Sequence, residues 1–253
     1  MPVGYLRRLT SPERTAKADR HLGLSLAFVA GATNAGGFLA VGRYTSHMTG
    51  VVSTMADDLA LGNVRPAVDA LFGLVAFVVG ATVSSVLVQW ARARRMRSEF
   101  ALPLMCEAAL LLVFGLMGAT LQTRSAGIVD ITVVLLCFMM GLQNAIITKI
   151  SHAVIRTTHV TGLVTDIGIE VGRVVFWRMT RVNVADVGEV ENRQRLFTHL
   201  GLVLLFFVGG LAGAMGFNTV GFVSAVPLAL FLVVLAVVPL IDDLRHRLLD
   251  HPI

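Results

Sequence analysis

The chain has 253 residues, of which 55% are hydrophobic and 15% charged, with a formal net charge of +5 and a mean hydropathy of +0.77. A soluble domain carries about a quarter charged residues, and a chain of this length cannot hide so much apolar surface in one aqueous core. The composition therefore excludes an ordinary soluble enzyme, a disordered chain and a fibrous protein, and points to an integral membrane protein.

Residues 1–20 are polar and basic. The apolar run that follows is long enough to span and lacks a small-residue cleavage site, so it is expected to stay in the mature protein. A helix crosses the hydrocarbon layer in about 20 residues. Six runs qualify, at roughly 22–41, 67–90, 101–121, 127–148, 197–216 and 219–241. Helix is the expected form because each backbone polar group in lipid must be satisfied within its own segment. Two stretches fall outside this pattern. Residues 50–62 are apolar but too short to cross, and 160–177 are interrupted by Asp166, Glu170 and Arg173. Each reads either as a half-helix dipping into the membrane or as an amphipathic helix lying on it.

Basic residues orient the spans. With the N-terminus in the cytoplasm, eighteen of the 21 Lys and Arg residues fall in cytoplasmic pieces, leaving Arg43, Arg65 and Arg124 on the other side. This is a strong positive-inside bias. It also accounts for the net charge, so no nucleic-acid partner is implied. Cys106 and Cys137 lie in apolar runs and read as small core residues rather than a disulfide or metal framework.

The two odd stretches resemble each other. Thr-Ser-His-Met-Thr-Gly-Val-Val at 45–52 aligns with Thr-Thr-His-Val-Thr-Gly-Leu-Val at 157–164, five of eight positions being identical. Ser53 and Asp58 pair with Thr165 and Glu170 at the same offset of 112. Upstream, Gly31 and Asn34 pair with Gly141 and Asn144, and downstream Ala-Leu-Pro-Leu at 101–104 pairs with Ala-Val-Pro-Leu at 225–228. The chain therefore reads as two copies of one unit: span, short broken helix, span, span. Three spans per unit is an odd number, so the second copy enters the membrane from the opposite side. This is the inverted-topology repeat common among secondary transporters. The expected fold is all-α, with six transmembrane helices in two such repeats. The expected organisation is a cytoplasmic N-terminus 1–21, a first repeat 22–121, a second repeat 127–241 with a cytoplasmic insertion at about 178–196, and a cytoplasmic C-terminus 242–253.

The Ser-His-Met-Thr-Gly motif after a Gly/Asn-rich first span, with its Thr-His-Val-Thr-Gly echo and the following Thr165-Asp166, resembles the bacterial YoaK-like family of multi-pass membrane proteins. The resemblance covers about 22–241. It implies a bacterial inner-membrane protein of a family of unknown function, and supplies no chemistry. Asn is common in that family after the first Thr-Gly, whereas Val51 stands here.

Helix starts have free N–H groups and a partial positive charge. Thr49-Gly50 and Thr161-Gly162 are expected at the start of each short helix, with Thr as cap and Gly allowing close backbone approach. If both helices dip inward from opposite faces, their starts meet near the midplane and favour an anionic or polar ligand. His47 and His159 lie two residues before the caps and can carry protons. Asp58 and Glu170 lie further along, where acids are costly unless they face a cavity or a partner. The expected solute site is thus His47, Thr49, Gly50, Asp58, His159, Thr161, Gly162 and Glu170, with Asn34 and Asn144 lining it or bonding between helices. The bland alternative is ordinary helix caps and interfacial histidines. Glu107 is expected to reach the cytoplasmic interface and Arg95 or Arg97. Ala76, Gly80 and Ser84, and Gly209 and Gly213, follow small-residue spacing; they pack across the pseudo-two-fold axis or form a homodimer face.

No HExxH, Walker loop or GxSxG elbow is present, so an enzyme, a resident metal and a cofactor are not expected. The function expected is movement of a small polar or anionic solute across the bilayer, with proton coupling through the His and acid pairs as a further hypothesis. The alternatives are a channel, or a non-transporting partner subunit or receptor.

Overall fold

A computed structural model describes residues 16–96, 98–121, 126–150, 158–180 and 188–250. The basic segment 1–15, Arg97, Arg124, His152, Arg156, Thr157, residues 181–187 of the insertion and residues 251–253 lie outside the described residues. Among the described residues there are eight α-helices, a 3-10 turn at Gly221–Ser224 and no strand. The helices are α1 Ala16–Val41, α2 Met48–Ala60, α3 Val64–Ala93, α4 Ala101–Leu121, α5 Ala126–Ile150, α6 Val160–Thr180, α7 Gly188–Thr219 and α8 Ala225–Asp250. Six stretches are long and apolar enough to cross a membrane: Lys17–Val41, Val64–Ala93, Ala101–Gly118, Gly127–Lys149, Arg193–Thr219 and Gly221–Ile241. The chain is a multi-pass helical membrane protein.

Local chemistry sets the helix ends. After α2, Gly62 adopts φ +78°, its N–H bonds Leu59 O, and the Asn63 N–H bonds Asp58 O at 2.7 Å. These two bonds are the Schellman closure, which needs a left-handed residue at this place. Pro66 then sits in the first turn of α3, where its missing N–H is harmless. Together they make a tight corner between α2 and α3. The end of α3 closes in the same way, with Arg95 at φ 52° and Met96 N–H on Ala91 O.

The buried core runs along α1, α4, α5 and α8, through Leu22, Leu26, Leu104, Leu111, Phe114, Leu136, Met139, Leu142 and Leu232. α2 buries no side chain. Large apolar residues such as Leu116, Phe207 and Met215 point outward, as lipid-facing positions should. Asp243 on α8 accepts hydrogen bonds from the Ser98 N–H, at 2.8 Å, and from Ser98 Oγ. This ties the α3–α4 turn to the end of α8, so both lie at one end of the bundle.

The tightest packing is reciprocal. A Cβ at Gly31 in α1 would run into the Phe206 carbonyl of α7, and one at Gly209 in α7 into the Phe28 carbonyl of α1. The same arrangement joins α5 and α3, with Gly141 against the Phe77 carbonyl and Gly80 against the Phe138 carbonyl. Each contact uses a Phe-x-x-Gly step, at 28–31, 77–80, 138–141 and 206–209. Glycine removes the side chain that would hold the backbones apart, which lets dispersion and Cα–H···O contacts form.

These contacts revise two expectations. The small faces of α3 and α7 are spent inside the chain, against α5 and α1 respectively, because each supplies the hole for a neighbouring carbonyl ridge. Glu107 is 1% exposed, and neither carboxyl oxygen has a hydrogen-bond partner among the described residues. It faces the core and does not reach Arg95; Arg97 is outside the described residues.

Candidate functional site

Beyond the end of α1, Gly42 at φ +72° turns the chain and Ser46 returns toward the α1 flank. Its hydroxyl donates to Asn34 Oδ1 at 2.9 Å. At the other motif, Thr158 Oγ1 donates to Asn144 Oδ1 at 2.6 Å. The two Asn residues thus pin the two segments entering α2 and α6 to the first helix of their own half. Asn144 also donates to Met140 O at 2.7 Å.

Each short helix begins one residue before the expected Thr. α2 starts at Met48, with His47 in the N-cap position and no side-chain cap hydrogen bond. The Val51 N–H bonds His47 O, and the Leu163 N–H bonds His159 O, both at 3.1 Å. Thr49 and Thr161 therefore stand inside the first turn rather than capping it. Each imidazole folds back over its own helix start, so that a Cβ at Gly50 would meet His47 Nδ1 and one at Gly162 would meet His159 Nδ1. The His-x-x-Gly spacing parks a ring on the first turn.

These elements enclose one cavity of about 720 Å³, lined by Asn34, Tyr44, Ser46, His47, Met48, Thr49, Phe77, Asn144, Thr148, Thr158, His159, Val160, Thr161 and Phe206. The two motifs, 112 residues apart, meet around it. Phe77 and Phe206 form walls from α3 and α7. Each is the fourteenth residue of its span, counted from Val64 or Arg193. At 1.5 Å per residue both lie about 20 Å from the start of their spans, near mid-length. Among the described residues, the lining holds no Asp, Glu, Lys or Arg. Its polarity comes from hydroxyls, two carboxamides, two imidazoles and the N–H groups of two helix starts.

Of the expected site residues, His47, Thr49, Asn34, His159, Thr161 and Asn144 line this cavity. Gly50 and Gly162 support its histidines from beneath. Asp58 and Glu170 do not join it. Asp58 lines a neighbouring cavity of about 310 Å³ with Arg43, Thr54, Pro66, Asp69, Gly73 and Cys137, which shares Tyr44 and His47 with the central one. Glu170 is buried against α7, with Oε1 3.2 Å from His199 Nδ1. Both acids lie some eleven residues beyond their histidines, about 16 Å along a helix, which is too far to return to its start. Sequence reading missed Ser46, Thr158, Tyr44, Thr148, the two Phe walls and His199. The fourfold Phe-x-x-Gly step was the available signal for Phe77 and Phe206.

Among the described residues, no group of three or more His, Cys, Asp and Glu side chains is placed to hold a metal ion. Cys106 and Cys137 are both free thiols. Comparison with curated proteins and with solved structures yields no match. Residues 22–238 match the family described as "Protein of unknown function (DUF1275)", in keeping with the resemblance drawn from the paired motif, and the chain belongs to that family.

Proposed function

We propose that the protein carries a small polar or anionic solute across the bacterial inner membrane by alternating access, its two halves acting as inverted-topology repeats with both termini cytoplasmic. The observation that carries this reading is the central cavity. Two distant copies of one motif line it together, at mid-length of the spanning helices, and among the described residues no Asp or Glu lines it to neutralise the positive ends of α2 and α6. Helix starts aimed at a midplane pocket favour negative or strongly polar groups. The reciprocal packing of α1 on α7 and of α5 on α3 supports the repeat, since an exchange of halves maps one pair onto the other. A site of this size takes a small organic solute. Among the described lining residues nothing acts as an activated nucleophile, so we read the cavity as a binding site and not a catalytic one.

Protein reconstituted in liposomes with an internal pH-sensitive dye tests this. The probes are radiolabelled small carboxylates, inorganic phosphate and polar neutral solutes, under an imposed pH gradient. Saturable uptake of at least one probe is expected, with its pH dependence lost in His47→Ala and His159→Ala. Unchanged flux in both variants removes the histidines from the mechanism. Single-channel currents would replace the carrier with a channel. Absence of uptake together with a stoichiometric co-purifying protein would replace it with a partner subunit.

A further inference from the structure

Aligned, the two halves differ beside their short helices. Phe77 and Gly80 of α3 correspond to Phe206 and Gly209 of α7 at an offset of 129, so Ala70 corresponds to His199 and Gly73 to Leu202. In the first half, the space between α2, the start of α3 and α5 is a cavity. It runs from His47 past Asp58, Ala70 and Gly73 to Pro66 in the first turn of α3. In the second half, four of the matching positions are buried: Leu163 is 3% exposed, Glu170 4%, His199 5% and Leu202 0%, while the mates of Arg43, Tyr44 and Thr45 lie outside the described residues. Among them, His199 Nδ1 lies 3.2 Å from Glu170 Oε1, within ion-pair distance but without hydrogen-bond geometry.

We infer that Glu170 and His199 form the cytoplasmic gate of the carrier, and that this structure is the state open to the opposite face. The inference rests on the transport reading above. One module held open and its symmetry mate held closed is what alternating access between inverted repeats requires. The gate lies about 9 Å from the start of the α7 span, taken from Arg193, between the central cavity and the cytoplasmic end. The first half has the acid, Asp58, but Ala70 in place of the imidazole, so the opposite face lacks the equivalent latch. Removing one partner of a buried acid–base pair leaves the other desolvated and uncompensated, which disfavours the packing that buries it. Separating α6 from the first turns of α7 breaks the contact and opens a path from Glu170 to the His159 side of the central cavity.

The test reads accessibility and needs no solute. Met48→Cys, which lines the central cavity, is placed in a Cys106→Ala, Cys137→Ala background. A membrane-impermeant charged maleimide is then applied to right-side-out and inside-out vesicles. With the gate intact, Met48→Cys reacts from the periplasmic side and is protected from the cytoplasmic side. Glu170→Gln and, separately, His199→Gln raise the cytoplasmic labelling rate by about tenfold or more, as a rise of a minor open state from about 1% to about 10% would. Cytoplasmic labelling that stays protected in both variants, or that is already fast with the gate intact, overturns the inference. Two variants guard against one failing to fold, with retained periplasmic labelling as the folding control. Loss of the gate result with solute flux intact leaves the transport reading standing; the reverse outcome removes transport and leaves a gated cavity.

Discussion

Replacing Gly31 or Gly141 by Ala tests the reciprocal glycine packing directly. The new methyl group at Gly31 would overlap the Phe206 carbonyl and crowd the Gly210 nitrogen, and at Gly141 it would overlap the Phe77 carbonyl. Ordinary contact begins at 3.4 Å, so the shortfall is more than an ångström, and the obstructing atoms are backbone. The helices must therefore move apart, which also loosens the partner contact of Gly209 on Phe28 or of Gly80 on Phe138. Overpacking of this kind costs about 1–3 kcal/mol, and the coupled second contact puts these two sites near the upper end. The control is Gly168→Ala on α6, where nothing lies within 4 Å. There the better helix propensity of Ala gains up to about 1 kcal/mol. The expected gap between Gly31→Ala and Gly168→Ala is thus about 3–4 kcal/mol. Unfolding by SDS in mixed micelles, followed by the fluorescence of Trp90 and Trp177, reads it. Gly141→Ala should match Gly31→Ala, because the two contacts are equivalent. If both variants unfold within about 0.5 kcal/mol of Gly168→Ala, the packing argument and the helix pairing built on it are wrong.

Three further outcomes follow from single contacts. Gly50→Ala and Gly162→Ala are expected to push the His47 and His159 rings off their helix starts, altering the pH dependence of flux while stability falls by less than about 1 kcal/mol, since a side chain and not backbone must move; an unchanged pH profile would count against the parked-ring geometry. Asp243→Ala strands the Ser98 N–H and hydroxyl and should cost about 1.5–3 kcal/mol, as hydrogen bonds to a charged group do, with Asp243→Asn costing less because an acceptor remains; equal losses in the two, measured by the same SDS titration, would show that the hydrogen bonds are not what matters. Asn34→Ala and Asn144→Ala remove the acceptors of Ser46 and Thr158 and should each cost below about 1 kcal/mol, the range of interhelical polar contacts in membranes, but slow solute flux more than the loss of stability explains; flux that tracks stability alone would make the two Asn residues structural.

Much of this protein is fixed by local chemistry and is legible along the chain. Each span is decided by the transfer of about 20 residues into hydrocarbon, which depends on those residues alone. The six spans accordingly fall within a few residues of where hydropathy puts them, and the two shorter helices lie near the expected stretches. The paired motif was legible for the same reason: one geometry, a ring over a glycine at a helix start, needs the same residues twice. The starting residue differs because a Thr before a Gly looks like a cap, and only the Val51 and Leu163 N–H bonds to the His47 and His159 carbonyls show that His occupies that place.

Tertiary structure decided what touches what. Every span is apolar on most faces, so lipid and neighbouring helices are nearly equivalent partners, and pairing turns on where backbones can approach. That is why α1 lies on α7 and α5 on α3, and why two Phe residues with no polar signature became walls of the central cavity. It is also why Asp58 and Glu170, equivalent in the repeat, part company: one opens onto a cavity beside Arg43 and Asp69, the other is buried against His199. Position in sequence sets how far along its helix each acid lies, but its surroundings come from residues tens of positions away, on helices whose packing no local pattern encodes.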